Sequence, residues 1–145
     1  MPRVLLDTAA YFDIQRAKKH QRQPWAIQTL RHLAADSAKH GRPGLILLSV
    51  MEISAGFEVE LQTTTFVENV LPMFELVEFG LAEACLAGEI FRKLEANRQR
   101  IGVADTGIAA TAIQQGLTVV TSNLKHFQRI IDLGFPLILE NWRDA

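Results

Sequence analysis

Five short and mostly apolar runs, separated by helical patterns, constrain the fold of this chain more than any other feature. Continuous apolar runs of three or four residues are typical of strands that are buried on both faces, as in parallel sheets. Four runs are clear and the fifth is the least distinct; they lie at residues 4–6, 45–48, 76–79, 117–120 and 137–139. The pattern predicts an α/β domain with helices on both faces of a central parallel sheet of four or five strands.

Helical patterns fill much of the chain between these runs. The longest carries Leu86, Ile90 and Leu94 at four-residue steps, which gives a helix one apolar face. We predict helices over 24–39, 50–60, 81–98 and 105–115, and a helical or loop segment over 66–74. No repeat or linker interrupts the pattern, so residues 1–145 are expected to form a single domain.

Composition excludes several classes of protein. The chain has 145 residues, of which 48% are hydrophobic, so it is not a disordered or low-complexity chain. Its one cysteine, Cys85, provides neither a disulfide framework nor a cysteine zinc site. No apolar stretch approaches the roughly 18 residues of a membrane helix, and no signal peptide is recognisable. We therefore expect a soluble protein of a reducing compartment.

Three acids and one amide follow the predicted strands or open the next helix: Asp7, Glu52, Asp105 and Asn123. In a parallel sheet, ligands bind beyond the carboxyl ends of the strands, so these side chains are expected to share one edge. Three carboxylates without a basic partner repel one another, and a divalent cation relieves that repulsion. Oxygen ligands of this kind suit Mg²⁺ or Mn²⁺ better than zinc.

Each of these residues also has a purely structural interpretation. Ser49 and Glu52 fit the S-x-x-E capping box, in which Glu52 only closes the start of a helix. Asp105 in a first helical turn is favoured by the helix dipole, and Asn123 is a good N-cap. The coincidence of acids at one edge of the sheet favours a shared site.

The motifs of this sequence resemble those of the PIN-domain ribonucleases, and most closely the VapC-like toxins of bacterial toxin–antitoxin pairs. The resemblance covers nearly the whole chain and rests on four motifs. These are Leu-Leu-Asp-Thr at 5–8, Ser-x-x-Glu-x-x-x-Gly at 49–56, Ile-Gly-x-x-Asp-x-x-Ile-Ala-Ala-Thr-Ala at 101–112, and Gly-Leu-Thr-Val-Val-Thr-x-Asn-x-x-His-Phe at 116–127. The last two motifs are the most specific.

The resemblance implies a three-layer α/β/α PIN-like domain and a metal-dependent endoribonuclease. It implies that Asp7, Glu52 and Asp105 are metal ligands and that Asn123 takes the fourth catalytic position, where many members have Asp. An Asn there lowers the negative charge and weakens the case for a second metal ion. Further implied features are cytoplasmic location, an RNA substrate, a homodimer, a small antitoxin partner, and hydroxyls of Thr8 and Thr121 that support the ligands. His126 and Phe127 also match the family's motif, but we expect both to have structural roles in packing.

The charge distribution is uneven although the net charge is −1. Residues 14–40 contain six Lys or Arg against one acid, whereas residues 41–80 contain one Arg against six acids. We expect the basic stretch to begin in a polar loop close to Asp7 and to bind RNA phosphates. Its leading candidates are Arg16, Lys18, Lys19 and Arg22; simple solvation of a loop and a helix face remains an equal alternative.

Two other functions remain possible on sequence alone. A phosphatase of the haloacid-dehalogenase type needs a second Asp two positions after the first, where this chain has Ala9. A non-catalytic RNA-binding or RNA-processing role without toxin activity is compatible with Asn123 and is disfavoured by the three retained acids. Magnesium dependence of RNA cleavage distinguishes these possibilities.

Overall fold

The computed structural model describes all 145 residues as an alternation of five strands and seven α-helices. The strands are β1 (Val4–Leu6), β2 (Gly44–Leu45), β3 (Glu75–Leu76), β4 (Thr118–Val120) and β5 (Leu139–Glu140). The helices are α1 (Thr8–Ala17), α2 (Pro24–His40), α3 (Leu47–Ala55), α4 (Glu60–Thr65), α5 (Leu81–Ala96), α6 (Val103–Gln115) and α7 (Leu124–Asp132). A π-helical turn (Phe66–Val70) and a 3₁₀ turn (Leu71–Met73) lead from α4 into β3.

The sheet is parallel throughout, with the strand order β3-β2-β1-β4-β5. The chain builds one half of the sheet outward from β1 and then returns to build the other half from β4. The point where the direction of winding changes therefore lies between β1 and β4, which is where open α/β sheets bind their ligands. The register pairs Leu6 with Val120, so Asp7 and Thr121 emerge side by side at that point.

Helices cover both faces of the sheet, which confirms the predicted three layers. Side chains of β1 alternate between the faces, as strand geometry requires. Leu5 packs in one buried cluster with residues of α5, α6 and α7, and Val4 and Leu6 pack in the other with residues of α1 and α3. All three side chains of β1 are fully buried, so Asp7 directly follows a strand that lies entirely within the core.

Close packing of α3 against α6 depends on Gly107. A Cβ atom at this position would lie 2.7 Å from Leu48 Cδ1 and 3.3 Å from the ring of Phe79. No side chain fits there without displacement of its neighbours. The glycine thereby lets α6, which carries Asp105, approach the sheet and α3.

Several predictions about secondary structure were wrong. The run at 76–79 is a strand only at Leu76, and the helix predicted over 50–60 is α3, which ends at Ala55. The stretch after Asp7 is not a loop but α1, which contains Arg16 in its last turn. The apolar run at 45–48 is only partly a strand, because β2 ends at Leu45 and α3 begins at Leu47.

None of the seven helices combines the length and apolarity that crossing a membrane demands.

Candidate active site

Asp7 occupies the junction between β1 and α1 and is only 2% exposed. It is the N-cap of α1: the Ala10 backbone N–H donates a 2.7 Å hydrogen bond to Oδ1. On the other side, the hydroxyl of Thr121 donates a 2.5 Å hydrogen bond to Oδ2. One carboxylate therefore starts a helix and is also bonded to the end of β4.

The protonation of Asp7 is strongly affected by its surroundings. Burial raises its pKa to about 7, and the two hydrogen bonds that it accepts only partly oppose this effect. The negative charges of Asp105 and Asp13 raise the pKa further. In the metal-free chain the carboxyl of Asp7 is therefore partly protonated near neutral pH.

Glu52 lies on α3 and faces α1. The Thr8 hydroxyl donates a 2.6 Å hydrogen bond to its Oε1. The capping-box interpretation of Glu52 was wrong, because α3 begins at Leu47 and its N-cap is Ile46. Ser49 lies inside the helix, where its buried hydroxyl has no hydrogen-bond partner. The carboxylate of Glu52 is therefore not used to close a helix end.

Asp105 lies in the first turn of α6, as expected, and its side chain is 22% exposed. Burial raises the pKa of its carboxyl, and the negative charge of Glu52 adds to this rise. A hydrogen bond from His126 acts in the opposite direction. Since Asp105 also acts on Asp7, its carboxylate is coupled electrostatically to Asp7 as well as to Glu52.

Asn123 stands at the N-cap position of α7, but its side chain makes no capping hydrogen bond. Its side-chain amide nitrogen instead lies 2.9 Å from His126 Nδ1. Its backbone N–H donates a 2.8 Å hydrogen bond to the hydroxyl oxygen of Thr121. The side chain of Asn123 therefore contacts the His126 side chain of α7 and leaves the backbone N–H groups at the start of that helix without a side-chain cap.

The chemistry of these donors fits a hard divalent cation. All are oxygen donors apart from His126, and no Lys or Arg forms an ion pair with Asp7, Glu52 or Asp105. Their mutual repulsion is what a cation relieves. The side chains are nevertheless set apart: no three His, Cys, Asp or Glu groups are close enough to hold one ion together. Mg²⁺ is commonly held by only one or two carboxylates together with water, so this donor set fits it without three side chains meeting at one ion.

Sequence reasoning missed two residues of this site. His126 was expected to pack in the core, but its ring is 39% exposed and its Nδ1 lies 3.5 Å from Asp105 Oδ2. Its position three residues after Asn123 on a helix was the available signal. Asp13, on α1, is 7% exposed and lines a cavity of about 10 Å³ together with Thr121 and Asn141. A prediction of α1 as a helix was needed to place Asp13 near Asp7, and we did not make that prediction.

The basic residues are farther from the acids than we expected. Ten residues of α1 separate Asp7 from Lys18, and at 1.5 Å per residue this is a distance of about 15 Å along the helix. Residues 18–23 form a polar recess between α1 and α2 that contains Lys18, Lys19 and Arg22. The expectation of a loop adjoining Asp7 was therefore wrong, and RNA binding by this recess stays a prediction.

The fold and the site define a class: a three-layer α/β/α domain with acids at the edge where β1 and β4 meet. The PIN domain family model matches residues 4–133, and the chain belongs to the PIN domain family. This confirms the resemblance inferred from the motifs.

Similar proteins carry related names. The chain is 43% identical over 72 residues to a protein named ribonuclease VapC from Rickettsia bellii, covering 50% of this chain and 54% of that relative. It is 28% identical over 146 aligned positions to a tRNA(fMet)-specific endonuclease VapC from Salmonella typhimurium, covering 98% and 99%. The chain thus spans about half the length of the Rickettsia relative and nearly all of the Salmonella one.

Among solved structures, the DNA-bound VapBC complex from Salmonella typhimurium contains a chain with the same fold. The TM-score is 0.72 at 24% sequence identity, with 98% of this chain and 99% of that chain covered. At this identity the likeness establishes the fold.

Proposed function

We propose that this chain is a metal-dependent endoribonuclease that hydrolyses RNA phosphodiester bonds, and that it is the toxin of a VapBC-type toxin–antitoxin module. The observation that carries the proposal is the placement of Asp7 where β1 and β4 meet, with Glu52 bonded to the adjacent Thr8 and Asp105 close enough to act on Asp7, and with no Lys or Arg paired to any of the three. Membership of the PIN domain family and the ribonuclease names of relatives support it.

Divalent-metal dependence is general among PIN-domain VapC ribonucleases. For this chain we propose Mg²⁺, with Mn²⁺ as a substitute, held by Asp7, Glu52 and Asp105. Such an ion neutralises phosphate charge and lowers the pKa of a bound water. The protein's own part is to orient the donors: Thr121 and the start of α1 fix Asp7, and Thr8 fixes Glu52.

Asn123 is proposed to contribute a neutral polar group at the fourth position. Its amide oxygen can accept a hydrogen bond from water or from a sugar hydroxyl. Because Asn carries no charge, the edge has three negative charges to balance instead of four.

The partners of this chain are likewise proposals. The structural neighbour is a complex named VapBC, which supports a small cognate antitoxin that blocks the acidic edge. We also propose a homodimer in the cytoplasm, and RNA binding through Arg16, Lys18, Lys19 and Arg22.

The test is cleavage of mixed cellular RNA by the purified chain in the presence of Mg²⁺. Asp7→Asn and Asp105→Asn should each abolish cleavage while the circular-dichroism spectrum stays unchanged, and EDTA should abolish cleavage by the wild type. Asp132→Asn, which alters an exposed acid at the end of α7, is the matched control and should cleave normally. Cleavage that persists in EDTA or in both variants would refute the metal mechanism.

A second candidate is an RNA-binding or RNA-processing PIN protein without a toxin role, which the neutral Asn123 favours. Expression in a bacterial host separates the two roles. Growth arrest by the wild type, relieved by Asp7→Asn, supports the toxin, whereas cleavage in vitro without growth arrest supports RNA processing.

A further inference from the structure

A continuous path of polar contacts joins Asp7 to His126 through the turn between β4 and α7. The Thr121 hydroxyl donates to Asp7, and the Asn123 backbone N–H donates to the same hydroxyl oxygen at 2.8 Å. The Asn123 amide nitrogen then lies 2.9 Å from His126 Nδ1. The same ring nitrogen is 3.5 Å from Asp105 Oδ2, so the path ends at a second carboxylate on another helix.

The orientation of His126 sets it apart from its neighbour Phe127. Phe127 is fully buried in the core beside the sheet. His126 lies three residues after Asn123, and residues at that spacing share a face of a helix. Its ring is therefore directed at the acidic edge, where it contacts both Asn123 and Asp105.

We propose that His126 is a positioning residue that holds the side chains of Asn123 and Asp105 in the arrangement that receives the divalent cation. This inference rests on the proposed function. His126 is the only hydrogen-bonding partner of the Asn123 side chain, and the Asp105 carboxylate makes no contact with any other hydrogen-bond donor. Without the ring, both side chains lose the contact that restricts their rotamers.

The chemistry of the contact matches an amide at position 123. With the ring proton on Nδ1, this N–H is directed at Asp105 Oδ2 and at the Asn123 side-chain amide, whose oxygen accepts when the amide is turned by half a rotation. Groups that orient metal ligands in this way typically change metal affinity by about 10–100-fold when they are removed. His126 is thus expected to act on affinity for the cation through the residues that it holds.

Three variants separate positioning from a general structural role. His126→Ala removes the contact. His126→Asn places an amide near the position of Nδ1 and should restore much of it. Gln128→Ala is the matched control, because Gln128 is exposed on the same helix and contacts only Asp132.

Two measurements test the proposal without relying on RNA cleavage. The first is the affinity of each metal-free variant for Mn²⁺ by titration calorimetry. We expect about a 10-fold or greater loss for His126→Ala, recovery to within about threefold of the wild type for His126→Asn, and no change for Gln128→Ala. The second is the NMR resonance pair of the Asn123 side-chain amide, which should shift in His126→Ala and not in Gln128→Ala.

Each result has a defined meaning. Wild-type Mn²⁺ affinity in His126→Ala would overturn the positioning role, whatever the activity of the chain. If the wild type bound no Mn²⁺, the proposed metal-dependent function would be refuted. The proposed effect of His126 on cation affinity would then be refuted as well. An unchanged Asn123 amide resonance in His126→Ala would separately show that the contact does not restrain Asn123.

Discussion

The Thr121 hydroxyl donates a 2.5 Å hydrogen bond to the carboxylate of Asp7, and so connects the end of β4 to the start of α1. Thr121→Val keeps the shape of the side chain and removes this donor. Because Thr121 is fully buried, we expect a loss of about 1–3 kcal/mol in the free energy of unfolding, measured with urea. Thr121→Ser retains the hydroxyl and should lose less. Equal losses in the two variants would assign the effect to packing instead.

The raised pKa of Asp7 predicts how the stability of the metal-free protein depends on pH. Its pKa is about 7 in the folded chain against an ordinary value of 3.8. The protonated form therefore favours folding fully below about pH 4, and this contribution is lost as the pH rises through about 7.

Asp7→Asn removes this pH dependence while it preserves a good N-cap. The variant should gain stability relative to the wild type as the pH rises from 4 to 8, by an amount on the order of 4 kcal/mol at most. Urea unfolding at both pH values in EDTA measures the gain. The exposed-acid variant Asp132→Asn should show no such trend, and a pH-independent effect of Asp7→Asn would contradict the assignment.

Asp13 is predicted to act on Asp7 through its charge. Asp13→Asn removes a nearby negative charge, so the pKa of Asp7 should fall toward its ordinary value. The carboxyl carbon resonance of Asp7, followed by NMR as the pH is changed, reports the midpoint directly. A midpoint equal to that of the wild type would exclude electrostatic contact between the two acids.

The polar recess at residues 18–23 predicts the salt dependence of RNA binding. Replacement of Lys18, Lys19 and Arg22 by Gln should reduce the slope of log affinity against log salt by about 2, since each phosphate contact to a single strand contributes about 0.7. Binding is measured with the inactive Asp7→Asn chain. The control Lys39→Gln, at the far end of α2, should leave the slope unaltered. An unaltered slope in the triple variant would show that the recess does not contact RNA phosphates.

Two helical glycines provide a matched pair for the packing of α6. Gly107→Ala places a methyl group 2.7 Å from Leu48 Cδ1, and overpacking of this kind costs about 1–3 kcal/mol. Gly88→Ala meets no atom within 4 Å, so it should stabilise α5 by up to about 1 kcal/mol. Thermal unfolding of both variants measures the difference, and a stabilising Gly107→Ala would show that the half-buried Leu48 side chain moves aside at little cost.

The parallel sheet, its two covered faces and the acidic edge were predictable because burial on both faces leaves a direct mark on strand composition. The start of α1 was not, because we interpreted Asp7 as a metal ligand and did not consider it as an N-cap. The prediction of a strand over 45–48 was wrong for another reason. Four apolar residues fit the end of a strand as well as the first turn of a buried helix.

The site itself was predicted as a set of residues but not as a network. The sequence separates Asp7 from Thr121 by more than a hundred residues, and nothing local reveals that one donates to the other. His126 was missed because its ring contacts residues of α6 and of the preceding turn, and those contacts exist only once the helices are packed.

The pairing of β1 with β4 has a consequence for the chain as it is made. Asp7 is made more than a hundred residues before Thr121, so its partner strand does not yet exist when β1 is synthesised. The acidic edge therefore assembles only when synthesis has passed β4, and no shorter nascent chain presents it complete.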